Sequence, residues 1–324
     1  MEDRRVPFQN VVDAVLDARD FPHAYLRYFS DIDPGALGIL MEAWPRVEPS
    51  RKHWLLEQLE ATAAEDTLVS FDDFARALLA DPDPLVRGGA IRLLEENADP
   101  KLVAGYIRTL ETDEDEDVRA EAARALGQFV MLGELEEIPE PVHRSAEDAL
   151  LRAANGGDAV HVRRRAVEAL GFSARPEVTT LIDSAFRRQD PEWKASALFA
   201  MGRSSDERWE EPVLQMILND NPRVRLAAVQ AAGELGLAPA RSILIGLMED
   251  EEEDDIVGAA IWSLSQIGGE DARSLIESLI GQAEDDELTE FLEDALENLA
   301  FTEDLERFDL MSFDPEDVDE EDEE

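Results

Sequence analysis

The sequence predicts an all-α chain, an α-solenoid of about eight stacked helix pairs, on three observations. One phrase of apolar, basic and small residues recurs eight times. Proline with a capping acid or asparagine recurs just ahead of it. A second apolar-periodic segment separates each copy from the next.

The phrase is clearest at residues 219–236, NDNPRVRLAAVQAAGELG. With Val224 as reference, the pattern asks for an apolar residue, a base beside it, a small residue four positions on and an apolar residue eight on. It starts at Arg51, Val86, Val118, Val162, Trp193, Val224, Ile256 and Phe291, at successive offsets of 35, 32, 44, 31, 31, 32 and 35. The fourth positions are Leu55, Ala90, Ala122, Ala166, Ala197, Ala228, Ala260 and Ala295. The eighth are Leu59, Leu94, Leu126, Leu170, Met201, Ala232, Leu264 and Leu299. Spacing of zero, four and eight forms one helical stripe, and alanine at its centre lets a neighbouring helix approach closely.

One continuous coiled coil is excluded by proline. Pro49, Pro84, Pro191 and Pro222 stand two residues before the reference, where proline would cost ~3 kcal/mol inside a helix but almost nothing at its first turn. Helices must therefore begin there, behind N-caps at Asp83, Asp190 and Asn221, with Asp115 in the same place without a proline. Gly127, Gly171, Gly202 and Gly233 are expected to act as stop signals. The intervening segments, such as KLVAGYIRTL and ARSILIGLM, supply the second helix of each unit. Neither helix can bury its apolar face alone, so pair must stack on pair.

The phrase D-P-x-V-R-x-x-A-x-x-A-L-G, read in DPDPLVRGGAIRLL, DEDEDVRAEAARALG and NPRVRLAAVQAAG, resembles the HEAT repeat of the short bacterial bilin-lyase-like (PBS-lyase-like) type, over roughly residues 36–300. The resemblance implies that the Val-Arg helices line the concave side and that each arginine pairs with an acid of an adjacent turn. Arg87, Arg119, Arg163 and Arg225 match, Lys52 and Lys194 are variants, and Val257 and Leu292 depart, so the last two units are expected to lack that ladder.

Residues 1–35 are expected to form an N-terminal helical cap and residues 36–300 the solenoid, with a surface-loop insertion at about 132–142 (LGELEEIPEPV) in the one long interval. Residues 301–324 form a C-terminal extension ending in an acidic tail, with nine acids among residues 314–324, expected to be disordered. Net charge is −46: residues 1–140 hold 14 bases against 31 acids, 141–225 hold 13 against 13, and 226–324 hold 3 against 32. The chain is 44% hydrophobic, no apolar run approaches ~18 residues, and the start lacks a secretory pattern. With no cysteine, disulfides and thiolate metal sites are excluded, and a cytoplasmic location is expected.

No catalytic, cofactor or metal site is expected. H-E-x-x-H, G-x-S-x-G, the phosphate loop and G-x-G-x-x-G are absent. DEDEDVRAEAAR fails as a calcium hand, with Val118 where glycine must turn and Arg124 where a bidentate glutamate must bind. Iron-dependent deoxyhypusine hydroxylases share the repeat type but use His-Glu pairs, whereas Ala24, Trp54, Arg144 and Val162 follow the four histidines here. A field of this sign repels nucleic acid.

If the Val-Arg helices face inward, Trp54, Phe199 and Trp262 sit where water is expected, and Arg164 and Arg165 add charge. The function expected is a non-enzymatic scaffold holding a protein or peptide, a basic one at the acidic C-terminal third. The alternative is an accessory enzyme or chromophore-handling protein related to bilin lyases.

Overall fold

A computed structural model describes residues 6–17, 21–283 and 285–310. Every regular element among them is helical. The contacts divide the chain into one unit ending at Ser173 and another beginning at Ala174.

The first unit holds α1 (Phe8–Leu16), α2 (Pro34–Ala43), α3 (Pro49–Glu65), α4 (Asp72–Leu78), α5 (Pro84–Leu93), α6 (Lys101–Thr112), α7 (Glu116–Glu134), α8 (Glu140–Asn155) and α9 (Val160–Ala169). A 3-10 turn at His23–Phe29 lies between α1 and α2. The helices α3, α5, α7 and α9 stack in series, while α4, α6 and α8 each pack on the helix that follows. The second unit repeats the plan with α10 (Pro176–Phe186), α11 (Pro191–Arg203), α12 (Glu210–Met216), α13 (Pro222–Glu234), α14 (Ala240–Asp250), α15 (Asp254–Ile267), α16 (Glu270–Ile280) and α17 (Asp286–Leu310). There α11, α13, α15 and α17 form the stacked series.

The stripe read from the sequence is the core. All eight fourth-position residues are 0% exposed, and the eighth-position residues from Leu59 to Leu299 are buried with them. Helices start where the prolines require. Asp83 accepts from Leu85 N–H, Asp115 from Asp117 and Val118, Asp190 from Glu192, and Asn221 from Arg223 and Val224. Each such cap stabilises its helix by about 1 kcal/mol.

The recurring glycines do not stop helices. Gly127 lies in mid-α7 and Gly202 and Gly233 lie within α11 and α13, all three buried. A Cβ would lie 3.1 Å from Ala169 Cα at Gly127, 3.0 Å from Ala231 Cα at Gly202 and 2.7 Å from Ser263 Cα at Gly233. Glycine is there because the next helix of the stack touches the backbone. Gly171 lies in the 3-10 turn Leu170–Phe172. The left-handed residue that ends α13 is instead Gly236, with Leu237 N–H donating to Ala232 O at 3.0 Å.

The insertion is also not a loop over its whole length. Helices α7 and α8 run into it from both sides and leave only residues 135–139 between them. At the far end, α17 continues past residue 300 to Leu310, and the acidic tail lies outside the described residues. No helix among the described residues is long and apolar enough to cross a membrane.

The arginine ladder forms as the resemblance implied at three positions. Arg87 donates through Nε and Nη2 to Asp113 (2.9 and 2.7 Å), Arg119 to Asp158 (3.0 and 2.6 Å) and Arg225 to Glu251 (2.6 and 3.0 Å). In each, Nη1 donates 2.8 Å to a carbonyl six residues back: Asp81, Asp113 or Asn219. The guanidinium thus ties its own turn to the next turn in the stack. Arg163 Nε donates to Ala154 O at 3.2 Å, tying it back to α8. Lys52 serves as a buried variant, 3.2 Å from Asp81, and Lys194 lies 5.8 Å from the Phe186 ring. Near the C-terminal end, Arg273 to Glu303 (2.6 Å) makes a different tie.

Candidate functional site

The second unit carries a groove of about 860 Å³ across α11, α13, α15 and α17. Helical spacing builds it. Asp255, Gly258, Trp262 and Gln266 fall on one face of α15, and Leu226, Gln230 and Glu234 on one face of α13. Phe199 from α11 and Phe291 from α17 complete three aromatic walls with Trp262. Glu234, Asp254, Asp255 and Glu287 also line the groove, and no lysine or arginine does so among the described residues.

Trp262 is 39% exposed, unusual for the largest apolar side chain. Its ring leans on Phe291 with centroids 6.5 Å apart and planes tilted by 31°. Gly258 leaves open space beneath it, since a Cβ there would meet nothing within 4 Å. At the other wall, the Arg203 guanidinium lies 4.1 Å from the Phe199 ring centroid, so the groove's edge already shows how an arginine stacks there.

Glu234 is the electrostatic feature of the site. Its carboxylate lies over the backbone of α11, 2.5 Å from where a Cβ on Gly202 would stand. Solvent reaches the residue, yet the crowding desolvates its carboxyl and pushes it above the ordinary carboxylate range against the opposing pull of Arg203.

The same helical position is used differently in the first unit. Arg92 donates to Glu60 (3.1 and 3.0 Å) and lies 3.6 Å from Glu121, while Arg124 pairs with Glu121 (2.9 Å) and Glu95. Six positions after the reference, α5 and α7 thus carry a base knitted to acid, where α15 carries Trp262.

Of the residues singled out from sequence, Phe199 and Trp262 meet in this groove. Trp54, Arg164 and Arg165 belong to the first unit. Trp54 is half-buried against Phe21 (5.5 Å between centroids), with the Arg51 guanidinium 5.0 Å from its ring. Arg165 is exposed and pairs with Glu168 at 2.7 Å, and Arg164 is half-buried on α9. Sequence reasoning missed Phe291 and Glu234. The repeat phase puts Phe291 at the reference position, but Leu292, Ala295 and Leu299 form the buried stripe of α17 and turn Phe291 into the groove. The signal was an apolar Leu292 where other units carry a base.

The family model described as HEAT repeats matches residues 72–140 and 178–265, stretches that contain the Val-Arg phrases at Val86, Val118 and Val224. Among solved structures, the chain is similar to one in the complex of CpcE and CpcF of phycocyanin lyase from Nostoc sp. (18% identity, 70% of this chain and 94% of that one, TM-score 0.46). It is also similar to human deoxyhypusine hydroxylase in complex with glycerol (16% identity, 80% and 95%, TM-score 0.34). Importin beta is a third likeness (11% identity, 90% and 44%, TM-score 0.43). No curated protein sequence matches. The fold stands on the helix contacts and the buried stripe rather than on these likenesses.

Proposed function

Because the chain is a HEAT-repeat protein across residues 72–140 and 178–265, we propose that it works by binding another protein rather than by catalysis, and that the groove of the second unit seats a basic, arginine-containing segment of that partner. The observation that carries this reading is the exposed Trp262 in a groove lined by four acids and no base. Arginine suits both features. Its flat guanidinium stacks on aromatic faces while its N–H groups meet carboxylates, and its aliphatic stem covers apolar surface. The surrounding charge, 3 bases against 32 acids in residues 226–324, steers such a segment inward and repels acidic competitors.

The test is fluorescence anisotropy of a labelled nona-arginine peptide titrated with the full chain, at low and physiological salt. Trp262→Ala is expected to weaken binding by roughly tenfold or more, since aromatic anchors at interface centres cost ~2 kcal/mol on truncation. Unchanged affinity in a Trp262→Ala protein with wild-type circular dichroism would remove the groove from consideration and leave only diffuse charge attraction.

A further inference from the structure

The interval that breaks the repeat rhythm, 44 residues from Val118 to Val162 against 31 to 35 elsewhere, is spent on length. It extends α7 to 19 residues and α8 to 16. At the tip of this elongated hairpin, Glu134 on α7 meets His143 and Glu147 on α8, and one donor atom from each lies within 4.8 Å of the other two. His143 and Glu147 share a helix face through their four-residue spacing.

His143 is buried, with its side chain 9% exposed. Its Nε2 is sealed from water and makes no hydrogen bond, although Glu134 Oε1 lies 3.8 Å away and Glu147 Oε1 3.7 Å away. A buried ring nitrogen stationed between two carboxylate oxygens, beyond hydrogen-bonding reach of both, puts one nitrogen and two oxygen donors around a common point. Bonds of ~2.0–2.2 Å to a tetrahedral ion put neighbouring donors about 3.4 Å apart, so side-chain shifts of a few tenths of an ångström would bring the nitrogen to that distance from each carboxylate.

The surroundings hold the donors in place. The His143 ring lies so close on the backbone of Gly133 that a Cβ there would collide with it. Its Nδ1 faces Glu140 Oε2 at 3.8 Å, on the side where metal-binding histidines have a carboxylate that sets their tautomer. The Ser173 hydroxyl donates to Glu147. Glu134, at 30% side-chain exposure, stands on the side that solvent reaches.

We infer that Glu134, His143 and Glu147 form a binding site for one divalent transition-metal ion of the zinc class, clipping the tip of the α7–α8 hairpin. One imidazole with two carboxylates favours zinc, cobalt, manganese or ferrous iron over magnesium or calcium, which take oxygen donors. Adjacent His-Glu pairs are not needed, because the hairpin brings together residues distant in sequence.

The probe is Co²⁺ with the full chain, prepared without a histidine tag and stripped with chelator. The readouts are equilibrium dialysis and visible absorption, in excess millimolar Mg²⁺ to saturate surface carboxylates. The expected result is one Mg²⁺-resistant Co²⁺ per chain, with an absorption band that added Zn²⁺ abolishes. His143→Gln and Glu134→Gln should each weaken that binding at least tenfold. Glu134 is partly exposed, so its variant tests the site even where a change at buried His143 disturbs folding. Loss of all Co²⁺ binding to Mg²⁺, or equal binding by wild type and a folded Glu134→Gln protein, would overturn the inference.

Discussion

Gly233→Ala should destabilise the protein although alanine is the better helix former. A Cβ at Gly233 would lie 2.7 Å from both Cα and Cβ of Ser263 on α15. Carbon atoms rest at ~3.5–4.0 Å, so α13 and α15 must part by about 1 Å. Ser263 cannot easily retreat, being 1% exposed with its hydroxyl donating 2.9 Å to Val229 O. Overpacking costs ~1–3 kcal/mol and the strained hydrogen bond about 1 kcal/mol, against a helix-propensity gain near ~1 kcal/mol. The net loss is about 2 kcal/mol. Gly246→Ala on α14 is the matched control, because a Cβ there meets nothing within 4 Å, and it should stabilise by ~0.5–1 kcal/mol. Urea denaturation followed by helical circular dichroism should move the two midpoints in opposite directions. If both variants shift upward, close approach is not the reason for the glycine and the account of the stack is wrong.

Three further outcomes follow from the geometry. Glu136 ends α7 in the left-handed region at φ 59, so Glu136→Gly should raise stability by ~1 kcal/mol in thermal melts. Hydrogen bonds from Arg119 and Arg225 hold the Asp158 and Glu251 carboxyls below their ordinary range. Their stabilisation is full above about pH 5, where the unfolded carboxyls are ionised too, and is lost as pH falls through the lowered values. Melting temperature should therefore drop between about pH 5 and pH 2, and Asp158→Asn should flatten part of that drop. Glu234, held above the ordinary range, behaves oppositely: its charged form is disfavoured in the folded chain, so Glu234→Gln should stabilise at neutral pH. The same variant should weaken nona-arginine binding and remove any rise in affinity between pH 4 and pH 7 by anisotropy.

Most of the fold was legible because its signals are local. Proline at a first helical turn, an acid ahead of it and alanine at a fixed phase each constrain one or two turns of chain, and all eight alanine-position residues are fully buried. The glycines misled for a physical reason. A glycine near a helix end and a glycine beneath a neighbouring helix look alike in sequence, and only the separation of α13 from α15 distinguishes them. The insertion misled similarly, since Pro139 and Pro141 mark the start of α8 rather than a loop. The ion pairs of Arg92 and Arg124 were not legible, because Glu60 lies 32 residues from Arg92 and Glu95 lies 29 residues from Arg124, and such partners meet only when the helices stack.

By itself the sequence determined the repeating unit, where its helices start, which stripe is buried and how unevenly charge is spread, because each follows from spacing along a single helix. Tertiary structure decided which residues meet. Trp262 stands beside Phe199, Phe291 and Glu234 because four helices stack in one register. Glu134 reaches His143 because a lengthened hairpin folds back on itself. Such meetings depend on distances between helices, and those are set by packing rather than by any pattern within one.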